Sequence, residues 1–109
     1  MGKEIFTQII KNIPLVDYGI EGLEVRRPHT KEGTIYFVAA HKDISFPKHS
    51  HAEQYTVVLD GEARLTINGQ TSVYKKGDIY TIPAGAPHTI TLMKGYAEFD
   101  YVNDPFDGE

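Results

Sequence analysis

From residue 34 onward the chain reads as short runs in which apolar and polar positions alternate, separated by turn residues. TIYFVAAH (34–41) and DISFPKHSH (43–51) are rich in β-branched and aromatic residues, with a turn at Lys42 and Asp43 between them. EQYTVVLDG (53–61) ends in the turn pair Asp60 and Gly61. EARLTINGQTSVYKKG (62–77) predicts a hairpin, because Asn68 and Gly69 are the preferred pair for a tight type I′ turn. Within it Ala63, Leu65 and Ile67 share one face and Arg64 and Thr66 the other. DIYTIPAG (78–85) and HTITLMKG (88–95) are strands broken by a turn over residues 83–87, and YAEFDYVND (96–104) closes the set.

Ahead of residue 34 the pattern is less regular. IFTQIIKNIP (5–14) suits a strand or a short helix that Pro14 ends. Its apolar side chains at Ile5, Phe6, Ile9, Ile10 and Ile13 call for burial on the barrel or on a second copy of the chain. Gly19 and Gly22 mark a bend, and LEVRRPHT (23–30) reads as an edge strand, where Pro28 is tolerated. Asp104 and Pro105 open an acidic tail expected to fray. No helical period extends past the first dozen residues. Short strands at this spacing predict an all-β sandwich or barrel of two antiparallel sheets.

At 109 residues the chain is expected to be one domain over residues 1–109. No apolar run approaches a membrane span, and the first residues lack a secretory pattern, so a cytoplasmic location and no membrane partner are expected. A formal charge of -4 argues against a nucleic-acid surface. Absence of cysteine excludes disulfides and thiolate ligands. A small molecule or an ion is the expected partner. His49 and His51, one residue apart on an extended chain, point to one side, and imidazole is the commonest protein metal ligand. His88 lies in a second strand-and-turn segment, IPAGAPHTI, and a sheet that joins the two would bring three imidazoles together. His29 and His41 read as surface or sheet residues.

These residues resemble the cupin family of jelly-roll barrels (double-stranded β-helices) with a metal in the mouth. The family's first motif is Gly-x5-His-x-His-x3 or x4-Glu-x6-Gly, matched by His49, His51 and Gly61. Its second is Gly-x5-Pro-x-Gly-x2-His-x3-Asn, matched by Gly77, Pro83, Gly85 and His88 at every spacing. The matched core covers about residues 43–92. Asp43 and Leu92 replace the first glycine and the last asparagine, departures that read as structural. Gln54 stands seven residues before Gly61, where the family has glutamate, and Glu53 beside it offers a carboxylate. Alternation from His51 turns Glu53 inward, whereas the register counted back from Gly61 turns Gln54 inward; the second is favoured because a turn after His51 breaks the alternation. Some cupins carry glutamine there, among them ones resembling the small ring-opening cupins of uronate breakdown.

The resemblance implies a divalent ion, Zn, Ni, Mn or Fe, held by His49, His51, His88 and Gln54. With glutamine the site carries about two positive charges, against about one with glutamate. That suits Lewis-acid isomerase, hydration or lyase chemistry on a small oxygenated molecule, expected to be an anionic sugar acid or keto compound. The competing readings are an iron or manganese dioxygenase and a non-catalytic small-molecule binder. Glu53, Tyr55 and His41 are the candidates for moving a proton. Small cupins pair, so a two-fold homodimer with residues 1–14 at the contact is expected.

Overall fold

The computed structural model describes residues 4–28 and 33–103. Apart from one turn of helix, α1 (Gln8–Lys11), its regular structure is ten strands. In chain order they are β1 (Leu15–Val16), β2 (Leu23–Arg26), β3 (Thr34–Ala40), β4 (Ile44–His49), β5 (Gln54–Asp60), β6 (Glu62–Ile67), β7 (Gln70–Lys75), β8 (Ile79–Ile82), β9 (His88–Leu92) and β10 (Ala97–Val102). They form two antiparallel sheets, one ordered β1-β2-β3-β10-β5-β8 and the other β4-β9-β6-β7. From β3 onward the chain therefore changes sheet at every connection except the β6–β7 hairpin. The expected all-β barrel of two antiparallel sheets is the architecture found. No helix among the described residues is long and apolar enough to cross a membrane.

The period-two pattern explains which residues meet inside. Ala63 and Leu65 on β6, Val58 on β5, Ile82 on β8 and Leu92 on β9 are each 3% exposed or less, and they form one core with Val25, Ile44, Tyr80 and Tyr96. Leu92, which stands for the family's asparagine, is thus a core residue. Asp43, which stands for the glycine, accepts the backbone N–H of Lys94 on Oδ1 at 2.8 Å and pins the adjoining turn. The β6–β7 hairpin turns on Asn68 and Gly69 with φ of 53° and 75°, the pair of positive angles that a type I′ turn requires.

The first segment packs on its own barrel. Phe6 is 6% exposed and meets Phe37 edge-on at 6.2 Å, within a small cluster that includes Ala39 and Ala97 on the outer face of the larger sheet. Ile9, 75% exposed, is left outside that cluster. Arg26 fastens the segment's end, donating from Nη1 to the carbonyls of Lys11 and Ile13, both at 2.8 Å, as a cation does at a helix C-terminus. One expectation is corrected here. The 23–30 run is not an edge strand, because β1 pairs outside it through Leu15 with Arg26 and Val16 with Val25, and pairing ends two residues before Pro28. Those two residues lack the length to show as a strand in an apolar pattern. His29 and the 104–109 tail lie outside the described residues.

Gly61 joins β5 to β6 at φ 76°, and a Cβ there would meet the Tyr96 Cα at 2.6 Å. Only glycine satisfies both conditions. Gly61→Ala is expected to destabilise the fold by at least about 1–3 kcal/mol from the left-handed backbone alone, with the backbone clash adding to it. Denaturant unfolding measures the loss, and an unchanged midpoint would contradict the assignment.

Candidate metal centre

His49, His51 and His88 converge although their backbones differ. His88 opens β9 and pairs directly with His49, the last residue of β4. The β4–β9 register shifts between Phe46 and His49, and His51 lies beyond the strand altogether. The same-side placement of His49 and His51 thus comes from an irregular strand end rather than from clean alternation. Gly85, at φ 75°, places its N–H on the His51 carbonyl at 2.9 Å, tying the turn that precedes His88 to the loop that carries His51. Ring centroids lie 4.3 Å apart for His49 and His88, 4.8 Å for His51 and His88, and 5.4 Å for His49 and His51.

Each ring is anchored in the same way. Nδ1 of His49 meets the Pro47 carbonyl at 2.7 Å, Nδ1 of His51 meets that of Ala52 at 2.7 Å, and Nδ1 of His88 meets that of Ala86 at 2.9 Å. A carbonyl can only accept, so all three Nδ1 atoms carry the proton and all three Nε2 atoms keep a lone pair when the ring is neutral. One nitrogen from each ring lies within 4.8 Å of one from the others. Donors bound at about 2.0–2.1 Å stand roughly 3.0–3.4 Å apart, so the three rings must draw together on loading. His49 is exposed and can turn; His51 is half-buried, and His88 is 2% exposed. Burial holds the His88 imidazole below its ordinary pKa against the opposing hydrogen bond to Ala86, and the neighbouring His49 and His51 add to the lowering. A neutral ring is the form a metal needs.

The three rings border a cavity of about 420 Å³ that Gln54 also lines. Strand β5 starts at Gln54 after an irregular stretch, so the register into Gly61 decides orientation and Gln54 faces in, 9% exposed. Its Nε2 donates to Thr56 Oγ1 at 2.8 Å, which leaves the amide oxygen to offer the cavity. The Glu53 side chain is exposed and its carbonyl accepts from Asn103, while Tyr55 is 46% exposed on the opposite face of β5. His41 bonds Glu24 at 2.8 Å beside a separate groove under the first segment. None of these three proton-transfer candidates lines the cavity.

Two acids that the sequence did not single out do line it. Glu98 and Asp100 on β10 are each 5% exposed. Glu98 Oε1 accepts the hydroxyls of Tyr96 at 2.5 Å and Tyr80 at 3.1 Å. Asp100 Oδ1 accepts from Thr56 at 2.7 Å. Burial, then the adjacent Glu98 and the hydrogen bond between the two acids, push the Asp100 carboxyl well above its usual range, against the donors Thr56 and Gln54. Burial and Glu98 raise both tyrosines, which stay hydroxyl donors. The signal in the sequence was A-E-F-D-Y, two acids at alternate positions. It gives no hint of orientation, because Ala97 and Phe99 on the other face are as apolar as a core would need and are partly covered by the first segment.

The acid pair gives a physical reason for glutamine at position 54. A carboxylate there could not donate to Thr56 and would add a third acid to the cluster. In metal-free protein Gln54→Glu is expected to cost about 1–3 kcal/mol, partly restored by adding Asp100→Asn, as a double-mutant cycle by denaturant unfolding would show. Additive effects would contradict the coupling.

Known proteins locate the chain. The family model described as a cupin domain (Cupin_2) matches residues 34–99. Quercetin 2,3-dioxygenase of Bacillus subtilis (strain 168) is 37% identical over 61 residues, 54% of this chain but only 18% of that enzyme. Among solved structures, KdgF from Halomonas sp. superposes with a TM-score of 0.73 at 16% identity, covering 89% of this chain and 92% of that one. An RmlC-like cupin from Shewanella frigidimarina NCIMB 400 also gives 0.73, at 20% identity with 89% of each chain covered. At these identities the structural likeness speaks for the fold. With the family model covering more than half of the sequence, this chain belongs to the cupin family.

Proposed function

We propose that this cupin holds a divalent ion through Nε2 of His49, His51 and His88 with the amide oxygen of Gln54 as fourth donor, and acts on a small oxygenated molecule by isomerase or lyase chemistry. The observation that carries the reading is the shared anchoring of the three Nδ1 atoms on backbone carbonyls, which leaves three lone pairs beside one cavity. Neutral nitrogen and oxygen donors suit Zn, Ni, Mn or Fe. Such an ion polarises a carbonyl or lowers the pKa of a bound water.

The chain's own residues supply the rest. Gln54, committed through its nitrogen to Thr56, can present only oxygen and adds no negative charge. Phe46, Ile82 and Ile90 give the cavity apolar walls that limit water around a bound molecule. Among the described residues Asp100 and Glu98 are the acids that line the cavity, within reach of a bound molecule, a position that Glu53, Tyr55 and His41 do not occupy. A second reading, oxygen activation with iron or manganese, draws support from the likeness to quercetin 2,3-dioxygenase over 61 residues. A non-catalytic binder would use the same cavity. Pairing of two chains through residues 1–14 remains part of the proposal, with Ile9 as the exposed contact.

Purified protein is expected to retain about one divalent ion per chain, and His49→Ala, His51→Ala or His88→Ala to weaken metal binding by more than about a hundredfold. Calorimetric titration checks both. Turnover of a hydroxyketone and sugar-acid panel without oxygen uptake, abolished by chelation, is expected; oxygen consumption would select the dioxygenase reading, and ligand recovered unchanged the binding module. A wild-type chain that takes up no divalent metal would overturn the proposal.

A further inference from the structure

The loop between β1 and β2 runs from Asp17 to Gly22 and carries two large apolar side chains, Tyr18 and Ile20, which are 47% and 38% exposed. Polar or small residues (Asp17, Gly19 and Glu21) flank them. Both apolar side chains line the same cavity as His49, His51 and His88, whereas Glu21 is exposed and pairs with Lys42 at 3.5 Å.

The loop is fastened at its base and along itself. Gly22, at φ 85°, gives its carbonyl to the His41 N–H at 2.7 Å, and the Ile20 carbonyl accepts from the Leu23 N–H at 3.2 Å. The Gly19 N–H reaches the Asp17 carboxylate at 2.7 Å. Arg27 donates to the Tyr18 hydroxyl at 3.2 Å and also bonds Tyr36, another lining residue. These bonds hold the loop at the cavity while using only the hydroxyl of Tyr18 and nothing of the Ile20 side chain.

Water against two such side chains is a standing cost that an apolar group on a ligand removes. The walls facing the same space are of matching chemistry: Val38, Ile90 and Phe46, whose ring centroid lies 6.4 Å from that of His49. A molecule held by oxygen at the histidine end would have Phe46 beside its head, with the loop left for its body. A hydroxyl against Ile20 would exchange water for carbon, whereas an alkyl or aryl group would gain by the move.

We propose that the β1–β2 loop is the specificity element of this cupin: Tyr18 and Ile20 hold the alkyl or aryl body of a molecule whose oxygen donors sit at the metal. The proposal rests on the metal-site reading and narrows its ligand from polyhydroxylated sugar acids to keto compounds with an apolar body.

Two hydroxypyranones with the same metal-binding hydroxyketone test it, one carrying a butyl chain and the other a propyl chain that ends in a hydroxyl. On zinc-loaded wild-type protein, calorimetry is expected to show the butyl compound binding at least about tenfold more tightly, the penalty of a hydroxyl buried without a partner. Ile20→Ser, and separately Tyr18→Ser, should shrink that gap to about threefold or less by weakening the butyl compound, while the unsubstituted hydroxypyranone keeps its affinity within about twofold. Val73→Ser removes a side chain of similar exposure, 49%, from β7 outside the cavity lining and should leave the gap whole. Equal affinities in the wild type would overturn the proposal, as would a gap that survives both loop variants or is lost in Val73→Ser. The wild-type comparison stands even where a loop variant fails to fold. Zinc held at about one per chain alongside any of these contrary results sinks the loop's role alone; a wild type that takes up no zinc sinks the metal reading and this proposal with it.

Discussion

Three backbone carbonyls, those of Pro47, Ala52 and Ala86, decide what this barrel can do. Each takes the Nδ1 proton of the histidine next to it in sequence, within one or two residues, and so fixes the tautomer of a ring whose own strand could not. The carbonyls are free to do this because the chain leaves regular pairing there: β4 slips register before His49, His51 lies off the strand, and Ala86 belongs to the turn before β9. In an unbroken sheet those carbonyls would be spent on ladder hydrogen bonds. The irregularity is thus what arms the site, and the Gly85 bond to the His51 carbonyl holds the two irregular stretches together.

Behind the histidines the barrel interior is graded. Away from the cavity the core is packed with Val58, Ala63 and Leu65, whereas in the cavity wall β10 contributes Glu98 and Asp100 among hydroxyls. Burying two acids is costly unless each is hydrogen-bonded, and every buried side-chain nitrogen and oxygen among the described residues has a partner. Gln54 belongs to this network, since its nitrogen serves Thr56, and it lines the same cavity as the three histidines.

Much of this was legible in the sequence. The hairpin at Asn68 and Gly69 and the shared face of Ala63, Leu65 and Ile67 follow from periodicity and turn chemistry; the convergence of His49, His51 and His88 was expected from alternation and motif spacing, but an irregular strand end delivers it. Counting register back from Gly61 placed Gln54 inward, because β5 is continuous to its end. Three features were not readable for definite physical reasons. β1 is two residues long, below the length at which alternation shows. The acids of β10 lie on a strand whose other face is also apolar, so the pattern has no preferred side until Phe6 covers one. The partners of Glu53, Tyr55 and His41 depend on contacts between distant strands, which sequence spacing does not encode.

The central claim is a statement about protons on three rings, and nitrogen-resolved NMR of the histidine side chains measures it most directly. In metal-free protein at neutral pH, the long-range proton–nitrogen correlations of His49, His51 and His88 should all show Nδ1 protonated and Nε2 bare. Adding zinc should move the three Nε2 resonances together and leave Nδ1 protonated. An Nε2-protonated tautomer at any of the three, or zinc perturbing Nδ1 instead, would contradict the account.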